Sequence, residues 1–158
     1  MRRTDKEIRD PAIIAQIISG SQVCRVAVAK DNVPYIIPVS FGYDGVSIYI
    51  HTAQAGRKIE FFEANPVVCL EFEHGVVLKP HDIDPCSWSF SFRSVIAYGT
   101  ICELTDPGEK SAGLHLIMKQ YSKQQWNFSE ESIAALRVWK IALESLSGKQ
   151  SKDNMMAL

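Results

Sequence analysis

The chain contains no apolar run near the ~20 residues that cross a bilayer, so no membrane-spanning helix is expected. Its net charge is only −1 at pH 7, leaving no overall field to attract nucleic acid or an anionic membrane. A local basic pocket remains open to it. GxGxxG, GxSxG and the GxxxxGK phosphate loop are all absent, so doubly wound nucleotide binding and the hydrolase elbow lack their signatures. Cysteine is sparse: Cys24, Cys69, Cys86 and Cys102 are far apart and form no CxxC pair. Three of them lie in apolar, strand-like contexts, which reads as reduced thiols in a cytoplasmic protein rather than a disulfide framework. The opening MRRTDKEIRDP is charged and lacks the apolar centre of a signal peptide. Repeats, low-complexity tracts and linkers are missing as well.

What is present fits one globular domain. Hydrophobic residues make up 46% and charged residues 22% of 158, enough chain to bury ~70% of its unfolded surface. A domain over 1–146 is expected, with a polar, frayed tail over 147–158. Asp10-Pro11 pairs a cap with a first-turn proline and opens a short helix through about Ile18. Residues 23–30, 34–41 and 46–51 read as three strands linked by Asp31-Asn32 and Asp44-Gly45 hairpin turns. Pro38 lacks a ladder donor, so its strand belongs at an edge or a bulge. A helix over 55–64 ends at Asn65-Pro66, a strand follows at 67–73, and 74–87 reads as a loop. Residues 88–104 form a long strand or a bent pair, Asp106-Pro107 starts a helix to about Tyr121, Ser129 caps another helical turn, and 137–144 is a final strand. About six strands with short flanking helices and no βα alternation indicate an α+β class, mainly antiparallel, built as a small barrel.

The stretch IYIHTAQAGRK, 48–58, carries the first chemical signal. A strand end brings His51 and Thr52 beside a helix N-terminus, where free N–H groups favour an anion. Arg57 and Lys58 oppose the helix dipole at about 0.3–1 kcal/mol each, yet a planar donor beside a point charge suits phosphate. Equally, Arg57 could pair with Glu60 and Lys58 with Glu63 as a solvated face. The two readings are level on local grounds.

In SFSFRSVIAYG, 89–99, Arg93 sits within an aromatic strand with Ser94 and Val95. If buried it needs an acidic or anionic partner; otherwise its stem lies along apolar surface. Trp139-Lys140 again sets an aromatic plane beside a cation, a pairing that core plus surface also explains. His74, His81 and Cys86 share a loop with Asp82 and Asp84, but the spacing matches no standard zinc pattern, and a solvated loop is the reading adopted.

Seven segments in register resemble the FMN-binding split-barrel proteins related to pyridoxamine 5′-phosphate oxidase, and within them the Nim-type, 5-nitroimidazole-resistance branch. They are MRR, PYIIPVSFGY (34–43), IYIHTAQAGRK (48–58), NPVVC (65–69), FRSVIAYG (92–99), LTDPGEKSAGL (104–114) and LSGK (146–149). The resemblance implies a homodimer with FMN between subunits, and NADH or NADPH as electron donor. It runs the backbone of Ile37, Pro38, Val39 and Ser40 along the flavin ring, gives the FMN phosphate to Thr52, Arg57 and Lys58, and brings Arg93, Ser94 and Val95 from the partner. It also puts Trp139 near the ring and His51 close to the flavin, where a proton-donating or merely structural role remains open. Ile37 stands where the oxidase branch has arginine, and that branch's C-terminal arginine–histidine pattern is absent, so vitamin B6 oxidation is not expected. The implied function is an FMN-dependent reductase acting on a small acceptor such as a nitroaromatic. A non-catalytic flavin binder, and a haem-binding relative using His74 or His81, are the alternatives.

Overall fold

In the computed structural model, which describes residues 3–152, one antiparallel sheet carries almost all of the architecture. In chain order its elements are β1 (Glu7–Ile8), α1 (Pro11–Gly20), β2 (Cys24–Lys30), β3 (Val33–Val39), β4 (Gly42–Tyr43) and β5 (Ser47–Thr52). They continue as α2 (Arg57–Ala64), β6 (Val67–Lys79), β7 (Ser89–Leu104), α3 (Pro107–Tyr121), α4 (Glu130–Ala134) and β8 (Arg137–Gln150). The sheet order is β3-β2-β6-β7-β8-β5-β4, with β1 added beside β8. The strands number eight rather than the six expected, and the α+β, mainly antiparallel class holds.

Local chemistry explains most element boundaries. Asp10 Oδ1 accepts the Ala12 N–H at 2.8 Å and Asp106 Oδ1 accepts the Glu109 N–H at 2.9 Å, each ahead of a first-turn proline. Ser129 Oγ caps α4 through the Ser132 N–H. Asp31 and Asn32 both adopt positive φ, 52° and 62°, the turn that matches the twist of β2 and β3.

β3 and β4 lie at opposite ends of the strand order, yet only Ser40 and Phe41 separate them in the chain. Two residues span at most about 10 Å, so the sheet has to curl until its two edges meet. That makes a split barrel. The expectation of three successive hairpin-paired strands is corrected accordingly: β5 pairs with β4 and β8, not with β3. Pro38 does sit on an edge strand, as its missing N–H requires.

Two other expectations change. The segment 74–79 is strand, not loop, because β6 continues past a register shift between His74 and Val77, where Gly75 takes φ +64°. A glycine that resembles a breaker here supplies a bulge. The tail was set to begin at 147, but residues 147–150 pair with Arg93–Ile96 of β7. Only the distant partner strand makes those polar residues extended; residues 153–158 lie outside the described part.

The barrel interior holds Val26, Ile48, Ile50, Leu70, Phe72, Val95 and Ile141, all fully buried, with Phe41 against Phe72. α3 seals a second cluster of Tyr49, Leu104, Leu114, Ile117 and Val138. All four cysteines are free thiols. Among the described residues no helix is long and apolar enough to cross a membrane.

α3 also pins the edge-to-edge link. The Tyr121 hydroxyl accepts the Phe41 N–H at 3.0 Å and donates to Gln22 O at 3.0 Å. A Cβ on Gly42 would come within 2.5 Å of the Ile117 backbone nitrogen, so helix and strand meet at a distance only glycine permits. Tyr121→Phe should therefore leave a buried N–H unpaired and destabilise the fold by about 1–3 kcal/mol. Urea unfolding measures this; an unchanged midpoint would show that the link holds without it.

Candidate functional site

The residues of 48–58 form a strand, a turn and a helix start on the barrel wall. His51 and Thr52 end β5, opposite Val138 and Arg137 of β8. Gly56 precedes α2 with φ 141°, a conformation suited to glycine, and α2 has no side-chain N-cap. The Ile59 N–H is taken by Gly56 O at 2.9 Å, which leaves the earlier N–H groups of the turn as orphan donors. A Cβ on Gly56 would meet nothing within 4 Å, so the space over this turn is open.

The neighbours of Arg57 and Lys58 show which charges they meet within the chain. Among the described residues neither cation forms an ion pair. Glu63, the carboxylate assigned to Lys58 in the surface reading, instead binds Arg137 at 2.8 Å. Arg57 lies exposed over two rings, with Cζ 4.9 Å from the Tyr35 centroid and 5.5 Å from that of Phe61. Lys58 is half-buried and its charge reaches His51. The His51 ring is half-buried too, and its Nδ1 is a buried atom without a hydrogen-bond partner among the described residues. Burial first, then Lys58, pushes its pKa below the ordinary histidine value, which favours a neutral imidazole. Among the described residues, two cations without carboxylate partners thus meet a helix start without a side-chain cap at one open turn, and the half-buried His51 ring feels the charge of Lys58. That donor set fits a phosphate.

Thr52 and Trp139 stand behind this turn. Thr52 is 3% exposed; its hydroxyl donates to Ala53 O at 2.9 Å and accepts the Trp139 Nε1–H at 3.0 Å. Its proton is thus committed to bracing the turn rather than facing a ligand. Trp139, which the resemblance puts near the ring, is 3% exposed, edge-on to Phe62 at 5.2 Å and covered by Arg137 at 4.7 Å, so within one chain its side chain belongs to the core. Barrel closure turns it inward. Arg137, which sequence reasoning missed, also binds Glu103 and so ties α2, β7 and β8 together. Gln54 holds the turn to α4 through Ala134 O at 3.0 Å.

β3 flanks the same turn through Tyr35. Along it Ile37 is buried, Val39 is half-buried, and Pro38 and the following Ser40 are exposed. Its outer edge is unpaired among the described residues, leaving backbone groups available to a planar ligand. Tyr35, Phe61 and Gly56 are the other site residues not singled out from sequence. Gly56 had a local signal, immediately before the cation pair; the meeting of Tyr35 with Arg57 needed the fold.

Arg93, Ser94 and Val95 are not brought to this turn within one chain. Their β8 partners are Gln150, Lys149 and Gly148, whereas His51 faces Val138. From Val138 to Lys149 is eleven residues, roughly 35 Å along a strand. Val95 is fully buried, so its side chain belongs to the core. His74 Nδ1 is 2.8 Å from Gly20 O, and His81 Nδ1 accepts the Asp84 N–H at 3.0 Å. Among the described residues no group of three or more His, Cys, Asp or Glu is placed to hold a metal.

Comparison with known proteins agrees with this architecture. A candidate 5-nitroimidazole antibiotic resistance protein of Bacteroides thetaiotaomicron VPI-5482 superposes with TM-score 0.81 and 31% identity, over 90% of this chain and 85% of that one. The flavocytochrome Anf3 of Azotobacter vinelandii gives TM-score 0.77 at 21% identity, over 96% and 72% of the two chains. A FAD- and haem-binding protein of Mycobacterium smegmatis gives 0.81 at 18%, over 93% and 74%. The last two show the fold alone. An uncharacterised protein of Rhizobium meliloti strain 1021 is 29% identical over 55 residues, a match that spans 35% of this chain and only 36% of that curated relative. The family described as pyridoxamine 5′-phosphate oxidase matches residues 10–150. Nearly the whole chain is thus accounted for, and it belongs to the pyridoxamine 5′-phosphate oxidase family of split-barrel proteins, on the side of the 5-nitroimidazole-resistance branch.

Proposed function

We propose that this chain binds FMN and works as a reductase, with the phosphate held at the start of α2. The observation that carries the reading is the pair Arg57 and Lys58, without carboxylate partners among the described residues, at a helix N-terminus that has no side-chain cap. Bound FMN would supply the redox chemistry, taking hydride from NADH or NADPH and delivering electrons to a small acceptor such as a nitroaromatic. The chain's own groups do the rest. Arg57 and Lys58 with the first N–H groups of α2 neutralise the phosphate. The edge of β3 from Ile37 to Ser40 offers backbone groups to the ring, while Thr52 and Trp139 keep the turn rigid from behind. His51 holds or receives a proton at Nδ1.

The same reading calls for a homodimer. The cluster around Arg93 and Ser94 lies far from the α2 turn along β8, so a second copy would be needed to bring the two together. Val67 and Tyr98 are 59% and 52% exposed on one face of the neighbouring strands β6 and β7, an apolar surface that a second copy would cover. The four free thiols support a reducing, cytoplasmic setting.

The purified protein should carry or take up FMN with its visible absorption bands. Arg57→Ala combined with Lys58→Ala should weaken FMN binding by about two to four orders of magnitude, since charge-assisted hydrogen bonds contribute about 1.5–3 kcal/mol each. Equal affinity in the double variant would reduce the pair to surface charge. Anaerobic mixing with NADH or NADPH should bleach the flavin of a reductase; a flavin that stays oxidised with either donor indicates a non-catalytic binder.

His51 gives a pH signature. Its folded pKa lies below the ordinary ~6.5, so the unfolded chain takes up this proton first as pH falls. The resulting stability is present above pH ~6.5 and is lost as pH drops through the folded value. A nearby phosphate dianion favours the imidazolium, so FMN should move the His51 titration upward. NMR titration of the ring with and without FMN reads both effects; a midpoint that FMN leaves in place would separate His51 from the phosphate.

A further inference from the structure

Arg57 is exposed, yet it is not loose. Its guanidinium carbon lies within cation–π range of both Tyr35 and Phe61, and those two rings touch with centroids 5.2 Å apart at 48°. Phe61 follows Arg57 by four residues on α2, so one side of the contact comes from helix geometry. Tyr35 comes from β3 and reaches the same place only because the barrel closes. Phe61 is 5% exposed and Tyr35 packs against the core around it, so both rings are anchored. An arginine side chain otherwise carries rotamer freedom that has to be given up on binding. Stacking on ring faces restrains the side chain while leaving the guanidinium N–H donors unspent, which no carboxylate partner would do.

We propose that Tyr35 and Phe61 form an aromatic bracket that positions Arg57 at the start of α2, making this chain select a phosphorylated flavin over the same flavin without its phosphate. The inference rests on the flavin reading above. Tyr35 acts through Arg57, so it is a positioning residue. Its effect falls on the phosphate end of the ligand and spares the ring end.

Dissociation constants for FMN and for riboflavin, read by flavin fluorescence quenching, test this in the full chain. The wild type should prefer FMN. Tyr35→Leu should weaken FMN about fivefold, equivalent to about 1 kcal/mol, with riboflavin affinity unchanged. Tyr35→Phe keeps the ring face and should keep the preference, which also controls for folding. In an Arg57→Ala background, Tyr35→Leu should change the FMN-to-riboflavin ratio no further, because the two side chains act as one unit. A Tyr35→Leu variant that weakens both flavins equally, or leaves FMN binding intact, overturns the bracket while flavin binding stands. So does a further fall in the ratio without Arg57. A wild-type protein that binds neither flavin overturns the functional reading and the bracket with it.

Discussion

Ser40 and Phe41 carry the chain from one end of the strand order to the other, and the shortness of that link governs the molecule. A sheet this large could lie open and twisted; two residues between its outermost strands leave it no such option. Closure directs Phe41, Phe72, Val95 and Ile141 into a common interior. It also requires the link itself to be satisfied, since Phe41 is fully buried. Tyr121 meets that need from α3, at a helix–strand distance that Gly42 makes possible.

The electrostatics of the candidate site follow from the same closure. Glu63 is close enough in sequence to neutralise Lys58, but Arg137 of β8 takes it, together with Glu103 of β7. Among the described residues the cations at the start of α2 thereby keep no internal carboxylate partner. Behind them, the Trp139–Thr52–Ala53 hydrogen bonds fix the turn, and Gln54 fixes its far side. Rigidity here would serve the proposed phosphate site, because affinity is gained from donors already in position.

Much of this was legible in the chain because the signals are local. Asp10, Asp106 and Ser129 each announce a helix by the bond they make two or three residues on. Asp31-Asn32 encodes its own turn, and Pro38 its edge position. Gly75 misled for the converse reason: whether a glycine breaks a strand or bulges it depends on the strand opposite. The polar residues 147–150 likewise became strand only because β7 lies alongside. The resemblance alone puts Trp139 near a bound ring; its local pattern reads as core plus surface, and it is buried.

By itself, then, the sequence determined the helix starts, the hairpin turns, the edge strand and the placing of Arg57 and Lys58 at a helix N-terminus, because each depends on residues a few positions apart. Tertiary structure alone decided which carboxylates those cations would be denied, which rings would hold Arg57, and that the Arg93 cluster would stand far from the α2 turn. Those outcomes belong to residues tens of positions apart, such as Tyr35 and Arg57 or Glu63 and Arg137. Their meeting is settled by strand order and barrel closure, for which a linear pattern of side chains holds no direct code.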